Sequence, residues 1–317
     1  MVTAEDVSLR EGSPSDLLGT FSLSDRTMHR LAVDLGYIHP GDRTDGEVAE
    51  SWRRHRGLVE FLDAQPERRY LIAENGQGPV AYARVVRFGV MEQLTDLMVM
   101  PSQQGSGVGR KLLDSIWPGD PSPSLGRLVV ATGSPRDLSL YTDFGVMPAA
   151  GHWHLRQETA RYLEHRSQET DATEAESVVV LTVERAVAVW KRLEPDAIAH
   201  ERPALHEFFG RDRACLATVD GNGVPKALCW VSTDGDIGPA IGITPREVIP
   251  VVLAALDRVA KTQEPPLLGI YASTTSWHLL HRLRVLGFRV FWPSWVMCSV
   301  PLPGLDRYVP TRPPFVL

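Results

Sequence analysis

A glycine-rich loop between a strand and a helix is the part of this sequence best suited to chemistry. Residues 96–117 read DLMVMPSQQGSGVGRKLLDSIW, in which an apolar run is closed by Pro101 and glycines follow at 105, 107 and 109. Glycine allows the backbone to adopt a positive φ and to approach a ligand closely, and the first turn of the next helix presents unpaired N–H groups. The spacing therefore predicts an anion site that would fit a pyrophosphate.

The spacing of these glycines excludes two familiar phosphate-binding motifs. The sequence has no Gly-x-x-x-x-Gly-Lys-Ser/Thr segment, and Gly105-x-Gly107-x-Gly109 differs from the Gly-x-Gly-x-x-Gly pattern of dinucleotide-binding folds. A dinucleotide fingerprint should also follow the first strand of its domain, whereas this loop lies far along the chain. The spacing therefore excludes both a P-loop and a dinucleotide-binding fingerprint.

A second block of residues helps to identify the family that the glycine loop resembles. Residues 137–145, DLSLYTDFG, are predicted to end a helix with the pattern Tyr-x-x-x-Gly, from Tyr141 to Gly145. Together with the loop Gln104-x-x-Gly107-x-Gly109, this block resembles the GNAT superfamily of acyl-CoA-dependent N-acyltransferases. That family usually has Phe directly after the second-block glycine, and this sequence has Val146 there.

The resemblance implies a reaction and a co-substrate. It implies direct transfer of an acetyl group from acetyl-CoA to a primary amine of a small molecule, without a metal. The family's strand before the loop carries a bulge and splays from its neighbour, so pantetheine can pair with exposed backbone as an added strand would. By position, the residues expected to bind acetyl-CoA are Leu97, Met98, Val99, Gln104, Gly105, Ser106, Gly107, Val108, Gly109 and Arg110.

Acyl transfer also needs an acid and a base. The resemblance gives Tyr141 the role of acid, and its phenol, with an ordinary pKa of about 10, can protonate the leaving thiolate. Glu92 is the first choice for the base and Asp96 is the competitor, because a one-residue slip at the expected bulge would reverse the face of the strand. His152 and His154, which share a face of a later strand, and a relay through water are further alternatives.

The order of strands and helices predicted along the sequence, together with the resemblance, predicts an α/β fold of two tandem GNAT-type domains. Each is expected to hold a mixed, mostly antiparallel, splayed sheet flanked by helices, because the second half repeats the first element by element. The expected organisation is a catalytic domain over 1–157, a linker over 158–177, a degenerate domain over 178–300 and a proline-rich arm over 301–317.

The second half lacks both motifs. The position of the glycine loop is taken by Ile243 and the segment Thr244-Pro245-Arg246-Glu247, and no tyrosine stands where the first half has Tyr141. Proline removes a backbone N–H, and a glutamate near the helix start repels an anion. We expect no CoA site and no acyl transfer in this half.

Composition limits the partners. The 317 residues are 43% hydrophobic and 23% charged, as in globular proteins, and the net charge of −6 argues against nucleic-acid binding while suiting a cationic amine. No stretch approaches about 18 uninterrupted apolar residues, and no signal peptide pattern is present, so we expect a cytoplasmic protein without a membrane partner. Three cysteines without Cys-x-x-Cys spacing predict neither a disulfide framework nor a zinc site.

The sequence is compatible with more than one oligomeric state and more than one function. The oligomeric state could be monomer or homodimer. The competing function is a non-enzymatic acyl-CoA sensor, in which the loop binds CoA but no amine is processed.

Overall fold

The fold divides into two compact units. A computed structural model describes residues 4–168, 178–312 and 316–317 of the chain. One unit comprises Met1–Val129 with Ser139–Val146, and the other comprises Val130–Leu138 with Met147–Leu317.

The first unit begins with a strand, a helix pair and a three-strand meander. Its elements are β1 (Ser8–Glu11), α1 (Leu17–Asp34), α2 (Asp45–Asp63), β2 (Arg68–Asn75), β3 (Gly78–Phe88), β4 (Met91–Val99) and α3 (Val108–Ile116). The next two elements, β5 (Gly126–Thr132) and α4 (Pro135–Thr142), cross the boundary between the units.

The sheet of the first unit is mixed and mostly antiparallel. Strands β1 to β4 pair in sequence order as antiparallel neighbours, and β5 pairs with β4 in parallel. Helix α2 starts where the Thr44 side chain and Glu47 form a reciprocal capping box. Helix α3 buries Leu112, Leu113 and Ile116 completely, and it packs against β2, β3 and β4.

The second unit repeats this order with additions. Its elements are β6 (Met147–Glu158), α5 (Thr159–Ser167), β7 (Val178–Leu181), α6 (Val183–Leu193), α7 (Pro195–Ile198), α8 (Pro203–Phe209), β8 (Arg213–Val219), β9 (Pro225–Ser232), β10 (Ile237–Gly242), α9 (Val248–Thr262), β11 (Leu267–Ser273), α10 (Trp277–Val285), β12 (Arg289–Cys298) and β13 (Tyr308–Val309). Strands β7, β8, β9, β10 and β13 pair in that order, and β6 lies between β12 and β11. The core is built around α9, whose Val252, Leu256 and Val259 are buried.

The predicted repetition of elements is confirmed. The run β1, α1, α2, β2, β3, β4, α3, β5, α4 and β6 corresponds in order to β7, α6, α8, β8, β9, β10, α9, β11, α10 and β12. The fold is therefore α/β with two repeats of the same order of elements, as expected from the sequence. Although β6 ends the first repeat along the chain, it belongs to the second compact unit.

The predicted linker lies partly in described structure and partly outside it. Residues 169–177 fall outside the described residues. The preceding part forms α5, where Tyr162 is fully buried and donates a hydrogen bond of 2.6 Å to Asp257 Oδ1 on α9. The predicted domain limits remain a prediction.

Residues 4–168, 178–312 and 316–317 show neither a membrane span nor a metal cluster. No helix in these ranges has both the length and the apolar character needed to cross a membrane. The same part of the chain contains no group of three or more His, Cys, Asp or Glu side chains placed to hold a metal ion.

Candidate active site

The glycine loop forms the start of α3. Gly105 and Gly107 have φ values of +82° and +88°, in the left-handed region that favours glycine, and Gly107 is the residue that caps α3. Among the described residues, the N–H groups of Val108, Gly109 and Arg110 donate no hydrogen bond to a backbone acceptor. These groups lie at the positive end of the helix dipole and are arranged to bind an anion.

Two polar side chains of the loop hold its shape. The Ser106 hydroxyl donates to Gln103 O at 2.6 Å, and the Gln104 amide donates to Val99 O at 3.2 Å. Gln104 therefore ties the loop to the last residue of β4. An ideal Cβ on Gly109 would lie 3.6 Å from a Val99 methyl group, so the helix start also packs against the end of that strand.

A bulge interrupts β4 at Thr95. Arg84 on β3 is opposite Asp96, whereas the next residue, Val85, is opposite Leu94, so Thr95 is the extra residue. The parallel pairing with β5 reaches Leu94 and no further among the described pairs. The expected bulge and the expected loss of pairing after it are both present in this strand.

Beyond the bulge, β4 presents an open backbone edge. The Met100 N–H donates to Val80 O at 2.9 Å, and hydrogen-bonded residues alternate along an antiparallel ladder. The amide groups of Met98 therefore face β3, whereas those of Leu97 and Val99 face away from it. Two of the three residues expected to pair with pantetheine are thus directed to the open side, while Met98 is not.

The bulge places the two candidate bases on opposite faces of the sheet. Asp96 is opposite Arg84 and Glu92 is opposite Arg87, and these arginines are an odd number of residues apart on β3. Glu92 shares its face with Val99, against which α3 packs. Asp96 projects from the other face.

Glu92 is committed to an ion pair. Its Oε1 lies 2.5 Å from Nη2 of Arg69 on β2, and only 12% of the Glu92 side chain is exposed. This environment supports the sheet and leaves the carboxylate directed along the face that α3 covers.

Asp96 belongs to a buried polar cluster. The Tyr82 hydroxyl donates to its Oδ1 and the Thr95 hydroxyl donates to its Oδ2, both at 3.0 Å. Arg84 Nε lies 3.9 Å from Oδ2, and its guanidinium stacks over the Tyr70 ring at 4.8 Å. Burial, and then the Asp96 charge, raise the pKa of Tyr82 well above its ordinary value, so this phenol stays a donor to Asp96.

The cluster faces α1 and α2. The Tyr70 hydroxyl lies 2.6 Å from the hydroxyl of Thr20 on α1, and the Arg84 guanidinium lies 3.5 Å from Val59 O on α2. Sequence reasoning missed Tyr82 and Arg84. Two polar residues two positions apart in an otherwise apolar strand were the available signal, since they must share a buried face.

Tyr141 lies in the last turn of α4 in a buried position. Its side chain is 6% exposed, and its carbonyl oxygen accepts hydrogen bonds from the N–H groups of Phe144 and Val146 at 3.0 and 3.2 Å. Gly145, with φ of +74°, makes this helix end possible. An ideal Cβ there would fall 2.5 Å from the Pro121 ring, so close packing also requires glycine.

Arg110 links the two predicted motifs. Its guanidinium forms an ion pair with Asp143, and it lies 5.8 Å from the centre of the Phe144 ring. The start of α3 is thereby tied to the segment that follows Tyr141. Because Arg110 is half exposed, it can still reach an anion at the loop.

The alternative bases His152 and His154 lie on β6 in the second unit. Both are buried, and each stacks on the ring of Tyr271, with centroid distances of 4.5 and 4.6 Å. Burial lowers the pKa of His152 to about 3, and burial together with Arg312 lowers the pKa of His154 to about 2. Both imidazoles are therefore neutral near pH 7.

Comparisons with known proteins agree with this geometry. Residues 66–145 match the family model of the acetyltransferase (GNAT) domain. A comparison with curated proteins found no match to the sequence. The matched segment contains β3, β4, the glycine loop and the Tyr141 block.

Solved structures show the same fold over nearly the whole chain. A candidate acetyltransferase from Pyrococcus horikoshii is 16% identical with a TM-score of 0.67, and the match covers 97% of this chain and 95% of that one. A tandem GNAT protein from the clavulanic acid biosynthesis pathway is 16% identical with a TM-score of 0.59, covering 93% and 99%. A GCN5-related N-acetyltransferase from Sphaerobacter thermophilus is 17% identical with a TM-score of 0.57, covering 94% and 96%. Residues 66–145 therefore match a GNAT acetyltransferase domain, and the chain as a whole has the fold of a tandem GNAT protein.

Proposed function

We propose that the first unit transfers an acetyl group from acetyl-CoA to a primary amine of a small molecule. The observation that carries this proposal is the combination of an open strand edge, at Leu97 and Val99, with an unpaired helix start at Val108 to Arg110. Acyl transfer by the GNAT family supports the general reaction. Acetyl as the acyl group and an amine as the acceptor are the specific parts of the proposal.

The two features suit the two ends of the co-substrate. The pyrophosphate of CoA would accept hydrogen bonds from the N–H groups at the start of α3, where Gly105 and Gly107 allow close approach. The amide groups of pantetheine would pair as a short added strand with the backbone of Leu97 and the N–H of Val99, since Val99 O already accepts from the Gln104 side chain. Gln104 holds the loop at the end of this strand, so the two sites stay in register.

Asp96 is the base that the geometry favours over Glu92. It is the first residue after the bulge, next to Leu97, so its carboxylate lies beside the edge where the thioester end of pantetheine would extend. The hydrogen bonds from Tyr82 and Thr95 fix the orientation of the carboxylate. Glu92 is on the face covered by α3 and is paired with Arg69.

The reaction then follows from ordinary carbonyl chemistry. Asp96 accepts a proton from the ammonium form of the acceptor, directly or through water, and leaves a nucleophilic nitrogen. The nitrogen attacks the thioester carbonyl, the C–S bond breaks, and Tyr141 gives its phenolic proton to the CoA thiolate. The new amide nitrogen loses its remaining extra proton to water, and water returns a proton to the Tyr141 phenolate. The N-acetyl product and free CoA result, and no metal is needed in this scheme.

Titration calorimetry with acetyl-CoA tests the binding half of the proposal. Gly107→Asp should abolish measurable binding, because a side chain blocks backbone approach and a carboxylate repels the pyrophosphate. Gly119→Asp is the matched control, since Gly119 also has a positive φ, of +68°, in the first unit but has open space around it. Equal affinities for Gly107→Asp and the unaltered chain would refute the loop assignment.

An amine panel tests the chemical half. Tyr141→Phe should bind acetyl-CoA as the unaltered chain does and lose acetyl transfer by about 10²–10⁴-fold. An unaltered chain that binds acetyl-CoA but acetylates no amine in a broad panel would instead support the sensor function. The cytoplasmic location, the absence of macromolecular partners and the choice between monomer and homodimer remain predictions.

A further inference from the structure

The strand β10 of the second unit is the counterpart of β4, including its bulge. The pairing of β10 with β9 shifts register between Ile237 and Ala240, as β4 shifts at Thr95. After the strand, the Ile243 N–H donates to Lys226 O at 2.9 Å. In the first unit, the Met100 N–H donates to Val80 O on β3 in the same way.

This alignment identifies the corresponding open-edge residues. Counting back from Ile243, the amide groups of Gly242 and Ala240 face away from β9, because hydrogen-bonded residues alternate along the ladder. Gly242 and Ala240 therefore correspond to Val99 and Leu97, whose amide groups face away from β3 in the first unit.

In the second unit this edge is already occupied by a strand of the same chain. The short strand β13 pairs antiparallel with β10, with Val309 opposite Ala240 and Tyr308 opposite Ile241. The Gly242 N–H donates to Arg307 O at 3.0 Å. The backbone groups that pantetheine would need are thus used by residues 307–309.

The sequence of β10 is adapted to this neighbour. Gly238, with φ of +115°, has an ideal Cβ position only 2.4 Å from Pro310 O, so any side chain there would collide with the arm backbone. Arg213 donates to both segments, at 2.7 Å to Gly238 O and at 3.1 Å to Arg312 O. Tyr308 and Val309 are fully buried, as expected of a built-in strand.

The arm also contacts β11 and the start of α10, which follow β10 in the repeat. Arg312 Nη1 donates to Gly269 O on β11 at 3.0 Å, and the Ser276 hydroxyl donates to Leu305 O at 3.0 Å. In the first unit, the corresponding place is the open side of β4 beyond Leu94, where pairing with β5 stops.

The helix start of the second unit is closed to phosphate for a separate reason. The Thr244 hydroxyl accepts from the Glu247 N–H at 3.4 Å, and the Glu247 carboxylate lies at the N-terminus of α9. Lys226 pairs with that carboxylate at 3.5 Å. A pyrophosphate would meet a negative charge where the first unit offers glycine N–H groups.

We propose that residues 305–312 occupy, in the second unit, the edge that pantetheine uses in the first. The second unit therefore holds a peptide strand of its own chain in place of acyl-CoA, and the chain binds one CoA. This inference rests on the proposed function only in taking the β4 edge as the pantetheine site. The arm contacts themselves are independent of it.

Hydrogen–deuterium exchange on the full chain, with and without acetyl-CoA, tests the proposal. The amide of Gly242 should exchange slowly in both states, while acetyl-CoA should slow exchange at Leu97 and Val99. Faster exchange at Gly242 after acetyl-CoA addition would mean that CoA displaces the arm and would overturn the proposal, as would two CoA molecules per chain. An absence of change at Leu97 and Val99 would refute the proposed function without altering the result for the arm.

A pair of proline substitutions tests the arm directly. Val309→Pro removes an N–H that faces Ala240, so exchange at Gly242 should become faster by about tenfold or more, and trypsin should cleave after Arg307. Leu302→Pro changes the arm outside β13 and should leave both readouts unchanged. Slow exchange at Gly242 in Val309→Pro would overturn the proposal, and the measurement on the unaltered chain decides the case if that variant fails to fold.

Discussion

Glu92 and Asp96 lie on the same strand but project from opposite faces of its sheet, because Thr95 forms a bulge between them. Regular alternation would have placed the two carboxylates on one face. The bulge thus gives each a separate environment: Glu92 pairs with Arg69, and Asp96 accepts a hydrogen bond from Tyr82.

Exchanging each carboxylate for its amide separates the two candidates for the base. Asp96→Asn should lower kcat/KM for the acceptor by about 10²–10⁴-fold, because the amide cannot accept the proton, while acetyl-CoA affinity changes little. Glu92→Gln is the matched control and should retain most activity. Steady-state kinetics measures kcat/KM of both variants, and calorimetry measures their affinity for acetyl-CoA. A larger loss of kcat/KM in Glu92→Gln than in Asp96→Asn would identify Glu92 as the base.

The end of α4 offers a test of packing beside Tyr141. Gly145→Ala and Gly119→Ala both place a Cβ at positive φ, which costs about 1–2 kcal/mol. Only Gly145→Ala also collides with Pro121, so it should destabilise the chain by about 1–3 kcal/mol more. Urea unfolding of both variants measures the difference. Equal losses would mean that Pro121 moves aside without cost.

The glycine loop could be predicted from sequence because its requirements are local. Positive φ at Gly105 and Gly107 and the helix start at Val108 depend on residues that are adjacent in the chain. Tyr141 and Gly145 were recognisable for the same reason, since the end of a helix is a local structure.

The features that could not be predicted from the sequence depend on strand register and on contacts between segments that are far apart in the chain. The position of the bulge at Thr95 follows from how β3 and β4 pair, and a change of one residue would exchange the faces of Asp96 and Glu92. The occupation of the β10 edge by Tyr308 and Val309 likewise joins segments far apart in the chain. The polar run read as a linker begins with α5, because Tyr162 finds a buried partner that its own segment does not show.

A buried ion pair in the second unit should be among the most sensitive positions of the chain. Glu194 Oε1 lies 2.7 Å from Arg202 Nη2, and neither side chain is exposed. Glu194→Gln should destabilise folding by about 3–5 kcal/mol, because it removes one partner of a buried ion pair and leaves the guanidinium with only Leu317 O and the Tyr308 hydroxyl as acceptors. Glu158→Gln, at an exposed pair with Arg161, should cost at most about 1 kcal/mol. Comparable losses in urea unfolding would show that Arg202 is compensated by its other acceptors.

The buried histidines of β6 should make the second unit sensitive to acid. Burial lowers the pKa of His152 to about 3, whereas an unfolded histidine titrates near about 6.5. Between these values the unfolded chain binds more protons than the folded one, so lowering the pH favours unfolding, and above pH of about 6.5 the contribution is constant. From pH 7 to 5, His152 alone should remove about 2 kcal/mol of unfolding free energy.

His152→Gln should therefore lose less stability over this range than the unaltered chain in urea titrations, although its free energy of unfolding at pH 7 is lower. Replacing the exposed His278 by Gln is the control for the loss of one histidine as such. If His152→Gln and the unaltered chain lost stability in parallel, His152 would have to be solvated or partnered when protonated in the folded state.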